Sequence, residues 1–293
     1  MLKFTVLQRN WKEHLASLLS TAEAELLISS PYISHEGTDF VAESLSPNIR
    51  AQGQLTILTD LSPINICQGA TDPRALESLT AAVPSFRVCH LPRLHAKVYV
   101  ADSKHAIITS GNLTAGGLTL NYEYGVKISE ASTVGTIRSD IMAYAALGAT
   151  VDTERLTAYC QITDKVRATF RRKQIAVGKS VRQQFEQALR HAADELIRLQ
   201  LAGGAVHTIF ARTILYLLNK HGALTTRQLH PLVEAIHPDL CDNSVDRVID
   251  GERFGKKWKH AVRTAQQNLK KRGLIYLADD HWMIMKVNKA EHY

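Results

Sequence analysis

Between residues 94 and 126 the chain reads LHAKVYVADSKHAIITSGNLTAGGLTLNYEYGV. Its polar residues have the types that phosphate chemistry uses. The imidazole of His95 can attack phosphorus and form a covalent phosphohistidine. The ammonium of Lys97 can neutralise nonbridging oxygens as charge builds on them. Ser110 and Asn112 can donate hydrogen bonds to the same oxygens. A carboxylate, Asp102 or Glu123, can fix the tautomer of the imidazole and stabilise its charged form. This chemistry needs no metal or other cofactor, because Lys97 and the two donors supply the positive end that a metal ion would bring.

The elements around these groups must hold them in register. Leu94, Ala96, Val98 and Val100 alternate with His95, Lys97 and Tyr99. That spacing predicts one strand with His95 and Lys97 on the same face. Residues 106–109 form a second strand, Ser110 to Asn112 turn the chain, and a helix opens at Leu113 or Thr114. A third strand covers residues 124–128.

The pattern His-x-Lys, four residues, Asp, then Ser-x-Asn resembles the signature of the phospholipase D superfamily. His95, Lys97 and Asp102 match its first half, and Ser110 and Asn112 its second. Glu123 stands where that family has an acidic residue hydrogen-bonded to the histidine. Thr109 stands where the family often has Gly. One at a time, these residues are more simply a surface histidine, a solvated lysine and a hairpin turn at Asp102–Lys104. The six in register carry the functional reading. Only one His-x-Lys is present, whereas the family builds its site from two. The resemblance therefore implies a homodimer with the active site at the two-fold interface. His95 of one subunit attacks, His95 of the other protonates the leaving oxygen, Glu123 orients the imidazole and Asp102 supports the network.

Bulk properties narrow the class. The chain has 293 residues and is 45% hydrophobic, enough for a sizeable core. No apolar run is long enough to span a bilayer. Asn10, Lys12, Glu13 and His14 interrupt any signal-peptide core, so a cytoplasmic setting without membrane association is expected. The cysteines, Cys67, Cys89, Cys160 and Cys241, are scattered and suggest neither a disulfide framework nor a zinc site. The 13 histidines form no metal-ligand spacing. The net charge of +7 is uneven: residues 1–150 hold 11 Lys and Arg against 13 Asp and Glu, and the rest hold 24 against 15. A basic C-terminal half fits a polyanion, most often nucleic acid, and fits a solvated helical face about as well.

Periodicity sets out the remaining elements. Helices are expected at 8–21, 39–45, 74–83 and 133–147. Strands are expected at 25–30, 54–59 and 86–90, with a loop at 60–73. Together they predict an α/β fold: a phospholipase D-like mixed sheet flanked by helices over residues 1–150. Residues 151–205 read as a helical connector closed by Gly203–Gly204. Its basic run is Arg167, Arg171, Arg172, Lys173, Lys179 and Arg182.

Residues 206–293 read as helix, helix, helix and β-hairpin, which resembles a small winged helix-turn-helix domain. Thr225 and Gln228 are spaced as a capping box. Residues 238–254 are expected to be a connection. In the helix at 255–271, Trp258, Ala261, Val262, Ala265 and Leu269 share an apolar face. Lys256, Lys257, Lys259, His260, Arg263 and Lys270 are the DNA-binding candidates. The expectation is a metal-independent DNA phosphodiesterase or endonuclease. The domain pairing fits restriction, phage defence or repair, with a defence-system partner protein. Two rivals stand beside it. One is a DNA-binding regulator with a non-catalytic phospholipase D-like dimerisation domain. The other is a lipid phosphodiesterase or phosphatidyl transferase.

Overall fold

The apolar runs of the N-terminal part become one mixed sheet. The computed structural model describes residues 4–9, 11–175, 179–201 and 205–285, with the side chains of 171–182 and 198–204 outside the description. The chain divides into two units, Met1–Gln200 and Leu201–Tyr293. In order, the first holds β1 (Phe4–Leu7), α1 (Trp11–Thr21), β2 (Glu25–Ser29), α2 (His35–Ser44), α3 (Pro47–Gln52) and β3 (Gln54–Thr59). There follow α4 (Pro63–Cys67), α5 (Pro73–Thr80), β4 (Ser85–His90), β5 (Val98–Ala101), β6 (His105–Thr109), a π-helical turn (Gly116–Leu120) and β7 (Gly125–Ile128). Then come α6 (Ala131–Leu147), β8 (Ala149–Val151), α7 (Thr153–Ile175) and α8 (Lys179–Leu201).

The sheet has eight strands in the order β1-β7-β6-β5-β2-β3-β4-β8. Strands β2, β3 and β4 run parallel, and the other neighbours pair antiparallel. The consequence for the site is topological. The ends of β2 and β6 and the starts of β5 and β7 all reach the same edge of the sheet. The turn between β5 and β6 lies at the opposite edge. Leu15, Leu18 and Leu19 of α1 are buried with Leu26, Ile28, Leu55 and Ile57 of the sheet. Each such side chain contributes about 1.5–3 kcal/mol.

Several sequence expectations shift. The helix expected at 39–45 starts at His35, because Ser34 caps it by accepting from Gly37 N. The expected 60–73 loop contains α4, whose first residue is Pro63. β1, α3 and β8 were not expected. The two long helices after residue 150 do not hang free of the first unit: Tyr159 Oη donates to Leu61 O at 2.8 Å, and Leu196 joins the main core. Arg167 pairs with Asp72 at 3.0 Å, so it is a structural cation. The side chains of Arg171, Arg172, Lys173, Lys179 and Arg182, and Gly203–Gly204, lie outside the described residues.

The second unit contains α9 (Val206–His221), β9 (Leu224–Thr225), α10 (Thr226–Ile236), β10 (Asp246–Ile249), β11 (Glu252–Lys256), α11 (Lys257–Lys271), β12 (Ile275–Ala278) and β13 (His281–Ile284). Phe210, Ile214, Leu217, Leu229, Val233, Trp258, Val262 and Leu269 are among its buried apolar residues. β9 joins the β12–β13 hairpin in a three-stranded sheet. The capping box forms in both directions, with Gln228 N to Thr225 Oγ1 at 3.2 Å and Thr225 N to Gln228 Oε1 at 2.8 Å. It sets the start of α10, which then runs through Pro231. The connection expected at 238–254 contains the β10–β11 hairpin. Its turn, Asp250–Gly251, has φ of 49° and 84°, the positive pair that a tight two-residue hairpin requires.

Candidate active site

His95 and Lys97 stand in the extended segment just before β5, not within the strand. Strand pairing with β2 stops at Ser29, opposite Val98. Beyond it, Ser29 Oγ donates to Ala96 O at 2.9 Å and Thr109 N donates to Lys97 O at 3.2 Å, so the segment stays straight. The two side chains therefore meet on one side, as the alternation predicted. Lys97 Nζ lies 3.1 Å from His95 Nε2 and 3.4 Å from Nδ1. Being nearly equidistant, it is aligned on neither lone pair. His95 is exposed and Lys97 is buried, at 8% exposure. Burial pushes the Lys97 ammonium below its usual pKa, and the Glu123 carboxylate offsets part of that push.

Ser110 follows directly on β6. Its N donates to Tyr124 O at 3.0 Å, and its Oγ accepts from Tyr124 N at 3.1 Å. The hydroxyl itself donates to Glu123 Oε2, and the other carboxylate oxygen accepts from Asn121 Nδ2 at 3.1 Å. Glu123 thus orients Ser110: among the described residues its carboxylate accepts from Ser110 and Asn121, not from the imidazole as expected. Thr109 does the work of the glycine that the resemblance would place there. Its Oγ1 accepts from Gly111 N at 3.2 Å and donates to Tyr124 O at 3.3 Å, which fixes the turn.

Asn112 lies at the same edge. Its Oδ1 is buried with no hydrogen-bond partner among the described residues. The backbone on either side is pinned, because Tyr99 Oη donates to Gly111 O at 3.2 Å and Leu113 N donates to Ser30 Oγ at 2.9 Å. Trp11 supports the loop from beneath: its Nε1 donates to Gly117 O at 2.7 Å. A Cβ at Gly111 would come within 2.6 Å of the Trp11 ring, so only glycine permits this approach.

Asp102 is not part of this group. It lies at the far end of β5, at the opposite edge, with φ of 49°. Its carboxylate accepts from the backbone N of Glu23, Ala24 and Glu25 at 2.6, 2.7 and 2.9 Å. Burial alone would raise its pKa, but the three amides together outweigh burial and hold it below the ordinary value of 3.8. Asp102 is a scaffold carboxylate that secures the start of β2. The structure thus brings His95, Lys97, Ser110, Asn112 and Glu123 to one edge and leaves Asp102 out. It adds Asn121, whose signal was its place two residues before Glu123.

Cysteine is a poor alternative nucleophile here. All four thiols are buried and outside any disulfide, and burial pushes Cys67 up to about 11 and Cys160 and Cys241 up to about 12. No group of three or more His, Cys, Asp or Glu that could hold a metal ion occurs among the described residues.

In the second unit the basic candidates divide. Lys256 Nζ pairs with Asp246 at 2.8 Å. His260 Nε2 donates to Phe254 O at 2.6 Å, and its other nitrogen lies 3.2 Å from Arg247. Lys257, His260, Ala261 and Thr264 line a cavity of about 650 Å³ beside β10. Lys259, Arg263 and Lys270 recur at helical spacing on another face and have no carboxylate partner among the described residues. Lys259 lies 5.4 Å from the Trp258 ring. Burial, and then the charges of Lys259 and Arg263, lower the pKa of His230.

Residues 15–143 match the family model for the cardiolipin synthase, PLD-like domain. No curated protein matches. Among solved structures, NucT from Helicobacter pylori is 17% identical, with 49% of this chain and 96% of that chain covered and a TM-score of 0.40. Nuc from Salmonella typhimurium, a phospholipase D family member, is 14% identical, with 51% and 98% covered and a TM-score of 0.42. Phosphatidylserine synthase of Haemophilus influenzae Rd KW20 is 15% identical, with 55% and 43% covered and a TM-score of 0.40. The mixed sheet and its helices have a phospholipase D-like fold. No helix among the described residues is long and apolar enough to cross a membrane.

Proposed function

We propose that the protein is a phosphodiesterase that cleaves DNA through His95. The observation that carries this reading is the buried ammonium of Lys97 against the exposed imidazole of His95. A lysine is costly to bury, and the cost is recovered when a phosphodiester anion sits on it. In the first step a ring nitrogen of His95 attacks phosphorus, and the bond to the leaving oxygen breaks. Lys97 and the amide nitrogen of Asn112 hold the nonbridging oxygens, and Ser110 joins them by turning its hydroxyl away from Glu123. In the second step water attacks the phosphohistidine and frees the imidazole. The charge that develops is met by these groups, so the reaction proceeds without a metal ion.

The leaving oxygen needs a proton, and this chain has one His-x-Lys. A second copy supplies its own His95 as the acid, so the working form is a homodimer. An aliphatic row supports that form. Val6, Val126 and Ile108 lie side by side across β1, β7 and β6, with Val6 and Ile108 exposed.

DNA is favoured over lipid by the second unit. Its three helices and closing hairpin resemble a winged helix with the β10–β11 hairpin inserted between α10 and α11, and Lys259, Arg263 and Lys270 on α11 have no carboxylate partner among the described residues. The test is cleavage of plasmid and single-stranded DNA in excess EDTA, with wild type beside His95→Ala. Cleavage that persists in chelator and vanishes in the variant supports the reading. Phosphatidyl transfer in vesicles, with no cleavage of either DNA, would overturn it. A wild-type protein that binds DNA as a dimer without cleaving it would favour a regulator.

A further inference from the structure

We infer that Tyr122 and Tyr124 form a stacking platform for the bases of a single strand beside the reacting phosphate. The inference rests on the nucleic-acid reading of the site and names its substrate class: unpaired nucleotides. Both rings are uncovered, with Tyr122 86% and Tyr124 61% exposed. They flank Glu123, the residue that holds the Ser110 hydroxyl. The backbone N and O of Tyr124 both bond Ser110. The backbone that carries the Tyr124 ring is therefore hydrogen-bonded directly to the site, and Tyr122 stands two residues before it.

The Arg9 guanidinium lies 5.0 Å from the centre of the Tyr122 ring. It adds a cation to that ring, and the pair offers a base a flat surface and its phosphate a charge. The residue type separates these rings from the aliphatic row of Val6, Val126 and Ile108. Aliphatic side chains gain only from exclusion of water, which a protein surface provides. A tyrosine gives a π-face to any base and keeps its hydroxyl in water. Bases in a duplex are already stacked on one another and hidden, so only an unpaired strand can use the platform.

The test uses the full-length His95→Ala protein, which binds without cleaving. Its affinity is measured for a thymidine oligonucleotide, for an abasic strand of the same length, and for a duplex. The variants are Tyr122→Ala/Tyr124→Ala and Tyr122→Phe/Tyr124→Phe. Each stacked base is worth about 1–3 kcal/mol, so the Ala pair should weaken thymidine-strand binding about 10- to 100-fold. Binding of the abasic strand should not change, and the Phe pair should bind like its parent. An equal loss on both strands would overturn the inference. So would a fall from dimer to monomer mass in light scattering, which would assign the rings to a second copy. The readout is binding, so it stands apart from catalysis. A wild-type protein that cleaves nothing would undo the reading of His95 and leave the platform result intact.

Discussion

The two ends of β5 carry polar residues of one sequence motif and use them in opposite ways. At the start of the strand, Lys97 is buried with no carboxylate partner among the described residues, His95 is exposed, and the buried Asn112 Oδ1 has no hydrogen-bond partner among them. At the far end, the Asp102 carboxylate is filled by three backbone amides. Unsatisfied polar groups cost stability and are retained where a ligand completes them. Satisfied ones stabilise the fold and have nothing left to offer a substrate. A motif is thus a mixture of chemistry and carpentry, and hydrogen-bond bookkeeping separates the two.

The largest test of this contrast is His95→Ala. It should lower the rate of DNA cleavage on the order of 10⁴-fold or more while leaving the melting temperature close to wild type. Next is Lys97→Met, which keeps the volume and removes the charge. Cleavage should fall by about 10²–10³-fold, while stability in urea rises by about 1 kcal/mol. A loss of both activity and stability would break the contrast. The same lysine predicts an alkaline limb in the rate profile. Its charged form is needed, and burial lowers its pKa from 10.5, so activity should fall as pH rises, and that fall should come before pH 10.5 is reached. Lys97→Arg should shift that limb upward.

Asp102→Asn is the converse. It should cost about 1–3 kcal/mol of stability and leave the turnover of the folded enzyme unchanged. Because the native pKa of Asp102 is depressed, its stabilisation is present above the unfolded value of 3.8 and is lost as pH falls through the lower native value. The variant should therefore show a flatter loss of stability in acid. The smallest effects extend the contrast to α11. Single Ala substitutions at Lys259, Arg263 or Lys270 should each reduce the salt slope of DNA binding by about 1. Lys256→Ala, whose charge is held by Asp246, should barely move it.

Much of this arrangement was legible in the residues alone. ELLIS and QLTILT are continuous apolar runs, and they became β2 and β3 within one residue of expectation. The spacing of His95 and Lys97 foretold that their side chains would meet. Other features had weak signals. β1 has only four residues, three of them exposed, so no pattern marks it. The β10–β11 hairpin is almost wholly exposed and lacks alternation, although Asp250–Gly251 is a turn signal that could have found it. The role of Asp102 was hidden for a different reason. Its partners are backbone amides of residues 23–25, and amides carry no side-chain identity for a sequence to display.

The strand order also bears on how the molecule reaches its native state. β5, β6 and β7 follow one another in the chain and pair in sequence, so their contacts close short loops. β1 pairs with β7, Leu7 opposite Gly125, and must close almost the whole length between them. Loop-closure entropy favours the short pairings early and the long one late. Leu7 is fully buried, so Leu7→Ala should remove substantial packing energy. That loss should fall on the unfolding limb of a chevron and leave the refolding limb almost unmoved. The edge that carries His95 would then be assembled before the sheet is finished, with β1 acting as the latch that sets how long the native state lasts.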